Sequence, residues 1–416
     1  MKIFAASIIM ALAATIHAGA VTSKKKDAEE ARWLVGEGVW GTATAAAAGD
    51  ALDTSVLSYG VTDEGRVYLY LMGEDSNDME FALTISEAAL PPTKNFAKAA
   101  CGKLGILDPE DPRCAKITLT GTTKACPVDK STYDEACSKG WDALVDKHPS
   151  MAQWPDDHQF VVYELQPSDI WMIASFGGGS VIDPEDFRSA KPKHHPFEWI
   201  EESDFSGAHI ESDADAASPK KVEVPDSKKK VERSRWVVAK SLWATISTTS
   251  VRLGGSKWGN IRSIVDGSSL ADCTGLPHFY LPTPDPTNVD VEANPEIAIT
   301  MSEAALADRL NAKDQTICDG LDPEHPLCAR VVLYGTAVPV TDVAVLAKIE
   351  GDFGARHPFA PWLAKGGSHT GGQYFTIDLE KVTILDYYGG ANVVDVEEYL
   401  NWSSPQTRSL KLRGAH

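Results

Sequence analysis

The chain has 416 residues, 43% of them hydrophobic, with 39 Lys and Arg against 59 Asp and Glu, a formal net charge of −20 and a pI near 4.9. That length and apolar content suffice for two domains that each bury a core. The acidic balance argues against nucleic acid as a partner, because affinity for phosphate backbones comes mostly from concentrated Lys and Arg.

Lys2, the apolar run Ile3 to Ile16 and the small residues Ala18-Gly-Ala20 have the layout of a secretory signal, predicting a signal peptide over 1–20 and a mature start near Val21. The run is too short to span a bilayer, and no later segment approaches about twenty apolar residues, so no stable membrane insertion is expected. Lys24 to Lys26 and Lys228 to Lys230 read as solvated charged lead-ins to the segments that follow them.

From Arg32 onward the chain repeats itself. Arg32-Trp33 returns as Arg235-Trp236, Trp40 as Trp243, Thr84 to Leu90 as Thr300 to Leu306, and Asp108-Pro-Glu110 with Cys114 as Asp322-Pro-Glu324 with Cys328. His148-Pro149 returns as His357-Pro358, and Phe176-Gly-Gly as Tyr388-Gly-Gly. So long an offset makes each copy a whole domain rather than a solenoid unit. The division is copy one over residues 31–190, a charged Pro- and Ser-rich linker over 191–232, copy two over 233–402 and a polar tail over 403–416. Within the linker, Phe197-Glu-Trp199-Ile200 is a candidate docking spot and His194-His195 reads as a solvated pair.

Within each copy, Cys114 to Val128 and its counterpart around Val331 to Gly335 alternate as strands do. Tyr133 to Val145 and Val343 to Phe353 have helical spacing and stop at the His-Pro pairs. Phe160 to Phe176 and Tyr374 to Tyr388 read as hairpins turning at Gln166 to Asp169 and Leu379 to Lys381. Many short antiparallel strands with a few helices predict a mainly β, α+β barrel.

Seven cysteines in a secreted chain invite disulfides. Cys101 with Cys114 and Cys318 with Cys328 bracket the same acidic loop in the two copies, which predicts two local bridges. Cys126 and Cys137 are available for a third. Cys273 is left over, expected to be buried as a small hydrophobe, with pairing between molecules as the alternative. Metal binding is the other use of such a set, and no Cys-x-x-Cys or paired-His spacing supports it.

Trp258-Gly-Asn-Ile-Arg-Ser263, Phe279 to Pro286, Glu292-Ala-Asn-Pro295, Met301 to Leu306, Asp322 to Cys328, Arg356-His-Pro358 and Tyr388-Gly-Gly390 with Val396 to Leu400 resemble the CREG family of secreted glycoproteins. The resemblance covers copy two nearly end to end and copy one from Trp33 to Phe187. It implies two tandem FMN-binding-type split β-barrels, shared in fold with pyridoxamine-phosphate oxidases and packed as an intramolecular pseudo-dimer. Family members are extracellular or endolysosomal proteins implicated in growth restraint and are not established flavoenzymes.

Trp40 to Thr84 spans 44 positions and Trp243 to Thr300 spans 57, so copy one is shortened. The expected loss takes the counterparts of Trp258-Gly-Asn260 and Asp285-Pro286, beside the cofactor in flavin-binding relatives. In copy two, Asn260, Arg262, Ser263, Thr300 and Ser302 are the candidate partners of an FMN phosphate. Strand hydrogen bonding is the plainer role for all five, because a fold does not establish a site. His148 and His357 are read as helix ends before Pro, with no recurring carboxylate or nucleophile beside them. Glu87 and Glu303 are read as a strand passing into a helix start, not as catalysts. Asn401-Trp-Ser403 is the one glycosylation acceptor in the sequence.

The expectation is a monomeric secreted or vacuolar glycoprotein that acts by binding an unidentified protein or glycan receptor, without cofactor. The rival is an FMN-dependent oxidoreductase with its site between the copies.

Overall fold

The structure is a computed structural model that describes residues 25–73, 78–90, 101, 107–155, 158–195, 224–306, 317–363 and 371–404. The expected signal peptide, the Phe197 to Ile200 docking spot and most of the polar tail lie outside the described residues.

Copy one opens with helix α1 over residues 25–37, then runs β1 (Trp40–Ala46), β2 (Leu52–Val61), β3 (Val67–Met72), β4 (Glu80–Ser86), β5 (Lys116–Ala125), α2 (Glu135–Lys147), β6 (Phe160–Ile173), β7 (Ser180–Ile182) and α3 (Pro184–Ser189). Copy two runs α4 (Lys230–Lys240), β8 (Trp243–Thr249), β9 (Lys257–Val265), β10 (His278–Leu281), α5 (Pro286–Ala293), β11 (Glu296–Ser302), β12 (Arg330–Pro339), α6 (Val343–Arg356), β13 (Gln373–Leu385), β14 (Asn392–Val394) and α7 (Val396–Asn401). In each copy the antiparallel order is the same, β3-β2-β1-β4-β5-β6-β7 and β10-β9-β8-β11-β12-β13-β14. Pairing of β3 with β6, and of β10 with β13, closes each sheet into a six-stranded barrel with a short strand hung on its side. The expected fold of two tandem split barrels is the observed one.

Each barrel is filled by its strands and plugged by helices. Leu69, Leu83, Ile117, Leu119 and Ile170 meet Leu34 and Val35 of α1 and Phe187 of α3 in copy one. Ile246, Ile264, Phe279, Ile299 and Leu333 meet Val237 of α4 and Tyr399 of α7 in copy two. The helices begin where side chains cap them. Asp134 accepts from Cys137 N at 2.8 Å and Asp342 from Ala344 N and Val345 N, so α2 starts two residues later than the spacing suggested.

The two expected hairpins are instead single long strands. At β6 the register against β5 jumps between Thr120 and Gly121, which places Pro167-Ser168-Asp169 in a bulge rather than a turn. The first half of β6 then pairs with β3 and the second half with β7, so the bend is what lets one strand close the barrel. β13 bends in the same way opposite Gly335. Gly121 and Gly335 are required there, because a Cβ on either would overlap the carbonyl oxygen of Gln166 or Asp378.

The shortening of copy one also falls elsewhere than expected. Trp40 pairs with Ser58 as Trp243 pairs with Ser263, so Asp53-Thr54-Ser55 stand where Trp258-Gly259-Asn260 stand in copy two. The strand is kept with other side chains. The chain is shorter where copy two has the Asp285-Pro286 segment, as expected: β3 ends at Met72 and β4 begins at Glu80, whereas residues 282–295 separate β10 from β11 and carry α5.

The barrels meet along β1, β2 and β4 of copy one and β8, β9 and β11 of copy two. Trp40 and Trp243 stack at 5.8 Å within an apolar cluster holding Val56, Ile261, Ala89 and Ala305. The face between the barrels is mixed, since buried hydroxyls interdigitate beside the cluster. Thr42 meets Thr245 at 2.8 Å, Thr44 meets Ser247 at 2.8 Å and Thr54 meets Thr300 at 2.9 Å. Each hydroxyl can both donate and accept, so the hydroxyls of the strip partner one another across the interface.

Cys318 and Cys328 are bonded as expected, and Cys126 is bonded to Cys137, tying the end of β5 to α2. Cys101 and Cys114 are buried thiols, not a bridge: each sulfur lies close to the other and to the Glu87 carboxyl. Cys273 is only half-buried, its thiol facing Leu270 O while its carbonyl accepts from Arg235 at 2.7 Å. His194 and His195 are not a solvated pair. His194 stacks on Trp33 at 3.9 Å, and His195 Nε2 lies 3.2 Å from Glu29, so the start of the linker is fastened to α1.

Candidate functional site

The repeated Asp-Pro-Glu loops build the site. Asp108 accepts from Glu110 N at 2.9 Å and closes the turn, and the Lys116 ammonium reaches three loop carbonyls at 3.1–3.4 Å. Asp322 accepts from Glu324 N at 2.9 Å, and Arg330 reaches Pro323 O and Glu324 O at 3.3 and 2.8 Å. Both loops are therefore rigid before they touch anything else.

Each loop then crosses into the other copy. The second Asp108 oxygen lies 2.7 Å from His357 Nδ1, while the first takes the Ser263 hydroxyl. Glu110 accepts from Ser263 N at 3.1 Å and from Arg262 at 2.9 Å. Reciprocally, Asp322 lies 2.5 Å from His148 Nδ1 and accepts from the Ser58 hydroxyl at 2.6 Å, and Glu324 accepts from Ser58 N at 2.9 Å. His357 Nε2 faces Ile264 O at 3.0 Å and His148 Nε2 faces Tyr59 O at 3.1 Å. The histidines do end helices as expected, but a carboxylate does recur beside both. It comes from the other copy, so no local motif reveals it.

The electrostatics follow from burial. Desolvation opposes ionisation of Asp108 and Asp322, yet the combined bonds from histidine, serine and backbone N–H outweigh it and hold both carboxyls below the usual Asp range. Glu110 and Glu324 go the other way. Burial pushes Glu110 up to about 7 against the pull of Arg262, and Glu324 up to about 8 against the pull of Arg330. The two loops differ in one cross-barrel partner. Leu57 occupies in copy one the register position of Arg262.

Three of the five candidate phosphate partners come together on β9. Asn260 Nδ2 and Arg262 both donate to Thr287 Oγ1, at 3.0 and 3.2 Å, and Arg262 is also paired with Asp285 and Glu110. Desolvation of this buried guanidinium is overcome by those two carboxylates. Ser263 is bound to the crossing loop. Thr300 lies apart in the hydroxyl strip, and Ser302 accepts from Ala304 N at 3.1 Å, capping the turn at Glu303 as Ser86 caps the turn at Glu87. Sequence reasoning missed Asp108, Glu110, Asp322, Glu324 and Ser58. The signal was there in the twofold repetition of Asp-Pro-Glu and His-Pro.

Fold and site together define a tandem-barrel protein whose halves each complete the other with an acidic loop. The family model described as "CREG, beta-barrel" matches residues 22–189 and 225–401, and the chain belongs to the CREG family, once with each barrel. Protein CREG1 of Gallus gallus is 30% identical over 182 residues, covering 43% of this chain and 88% of the relative. Protein CREG1 of Mus musculus is 30% identical over 172 residues, covering 40% and 72%. Among solved structures, a heme binding protein from Mycobacterium smegmatis is similar at 17% identity with a TM-score of 0.31, covering 40% of this chain and 61% of that one.

Proposed function

We propose that the chain is a glycoprotein of the extracellular space or the endolysosomal or vacuolar lumen that acts by binding a protein or glycan receptor, without flavin turnover. The observation that carries this reading is the occupation of Arg262 and Ser263 by Glu110 and Asp108. A phosphate dianion takes several basic or backbone donors, and here the donors that could serve it already hold the Asp108 and Glu110 carboxyl groups. An anionic ligand would have to displace both and then face a net charge of −20, screened only beyond about 8–10 Å. The barrels meet within one chain, which supports a monomer. The luminal or extracellular placement rests on the signal-like start, and glycosylation rests on Asn401, exposed at the end of α7.

Protein secreted by a eukaryotic host is expected to lack a visible flavin absorption band and to lose mass on glycosidase treatment. A stoichiometric flavin band in the purified protein would support the oxidoreductase reading instead.

A further inference from the structure

The two copies differ sharply at one matched place. In copy two, Arg233 of α4 donates to Glu303 Oε2 at 2.8 Å, the same oxygen accepts from Ala329 N at 3.0 Å, and Cys318 and Cys328 beside it are bonded. In copy one, Glu87 takes the place of Glu303 and accepts from Ala115 N at 2.9 Å. The position of Arg233, however, is Glu30, three residues before Trp33 as Arg233 is before Trp236. Cys114, the counterpart of Cys328, is a thiol facing Cys101. An arginine and a disulfide have been replaced by a second buried carboxyl and two buried thiols. A buried carboxyl is stable when it is paired, bound to a metal or protonated, and the nearby Lys116 ammonium is already held by three carbonyls of its loop.

The remaining geometry is that of a ligand set. A Glu87 carboxylate oxygen, Cys101 Sγ and Cys114 Sγ all lie within 4.8 Å of one another, and all three residues are buried. With Oε2 engaged by Ala115, Oε1 faces His194, whose Nε2 lies 4.0 Å away and 3.7 Å from Glu30 Oε1. The His194 ring is fixed by its stack on Trp33 at 3.9 Å, and Glu30 accepts from His195 N at 2.5 Å, which ties the backbone next to His194 to α1.

We propose that copy one holds a structural zinc ion through Cys101, Cys114, Glu87 and His194, with Glu30 as an outer carboxylate standing where copy two keeps the Arg233 cation. Tetrahedral zinc at about 2.0–2.3 Å from sulfur, nitrogen and oxygen places its ligand atoms about 3.3–3.8 Å apart. Glu87, Cys101 and Cys114 reach that spacing by a short inward movement, and His194, 4.0 Å from Glu87 Oε1, has to swing toward the sulfurs to complete the set. Thiols exclude calcium and magnesium, which take oxygen ligands, and the carboxylate and imidazole suit zinc better than cuprous ion. Binding releases the two thiol protons to solvent, and the dication then balances two thiolates and one carboxylate to within one charge. The ligands come from β5's entry, the turn after β4, Cys101 and the segment after α3, so one ion would pin four separate stretches of copy one together.

The test uses the full chain, secreted by a eukaryotic host and purified without chelator. Elemental analysis is expected to find stoichiometric zinc, and Cys101 and Cys114 are expected to resist alkylation until a chelator is added. Cobalt substituted for zinc is expected to give a thiolate charge-transfer band. Glu30→Arg, which installs the arginine of copy two, and Cys114→Ser are each expected to lower zinc affinity at least tenfold. Thermal unfolding and size of the purified variants check that they are folded, and direct zinc titration of the reduced wild-type chain gives a readout that needs no variant. A Cys101–Cys114 disulfide in the secreted protein with no zinc uptake after reduction would overturn the proposal. So would zinc retained at full stoichiometry in folded Cys114→Ser.

Discussion

Asp108→Ala is expected to destabilise the chain by about 3–5 kcal/mol, the usual cost of removing one member of a buried charged pair. Asp108 gives one oxygen to His357 and the other to Ser263 and Glu110 N, so truncation leaves an imidazole nitrogen, a hydroxyl and a backbone N–H without that acceptor in a buried interface. Nothing local can replace it, because His357 and Ser263 belong to the other barrel. Asp322→Ala is expected to behave alike through His148 and Ser58. Urea unfolding decides the matter. A loss below about 1 kcal/mol, typical of an exposed pair, would mean that the crossing loops add little to the joining of the barrels.

Stability is expected to fall as pH rises from about 5 to about 8. Glu110 and Glu324 have folded values of about 7 and about 8 against an ordinary 4.5, so the folded chain binds more protons than the unfolded one between those limits. The stabilisation is complete below about 4.5 and is lost as pH rises through the folded values. At about 1.4 kcal/mol for each tenfold change in proton affinity, Glu110 contributes on the order of 3 kcal/mol and Glu324 somewhat more. Asp108 and Asp322 are depressed, so their contribution is present above the ordinary Asp value of 3.8 and is lost only as pH falls below it. The two effects leave a maximum in the mildly acidic range. Thermal unfolding across pH 4 to 9 measures it. Glu324→Gln, which imitates the protonated acid, is expected to raise stability at pH 8 and flatten that limb, whereas stability that rises from pH 5 to pH 8 would contradict the assignment.

Much of the architecture was legible because the duplication supplied what an alignment would. Matched Trp40 and Trp243, matched Ser-Glu-Ala-Ala-Leu and matched His-Pro fixed the domain count and the places of strands and helices. The hairpin reading of Gln166 to Asp169 failed because Pro, Ser and Asp suit a turn and a bulge equally. Only the pairing with β3 on one side and β7 on the other shows that the strand continues. The site was hidden for a different reason. Asp108 and His357 are 249 residues apart, and each looks locally like a turn residue and a helix end. Arg262 drew notice as a lone basic residue on a strand, but its partners Glu110 and Asp285 are set by the packing of the copies and by α5, which no periodicity encodes. His194 reads as solvated from its place in the charged linker, and its stack on Trp33 is a tertiary contact.

The direct test of a site filled from within is titration of the full-length chain with FMN, followed by quenching of flavin fluorescence. With Glu110 and Asp108 bound to Arg262 and Ser263, no saturable quenching is expected up to flavin concentrations of about a hundred micromolar, which corresponds to less than about 5–6 kcal/mol of binding free energy. Saturable micromolar binding that is lost on Arg262→Ala would contradict the reading and place FMN between the copies.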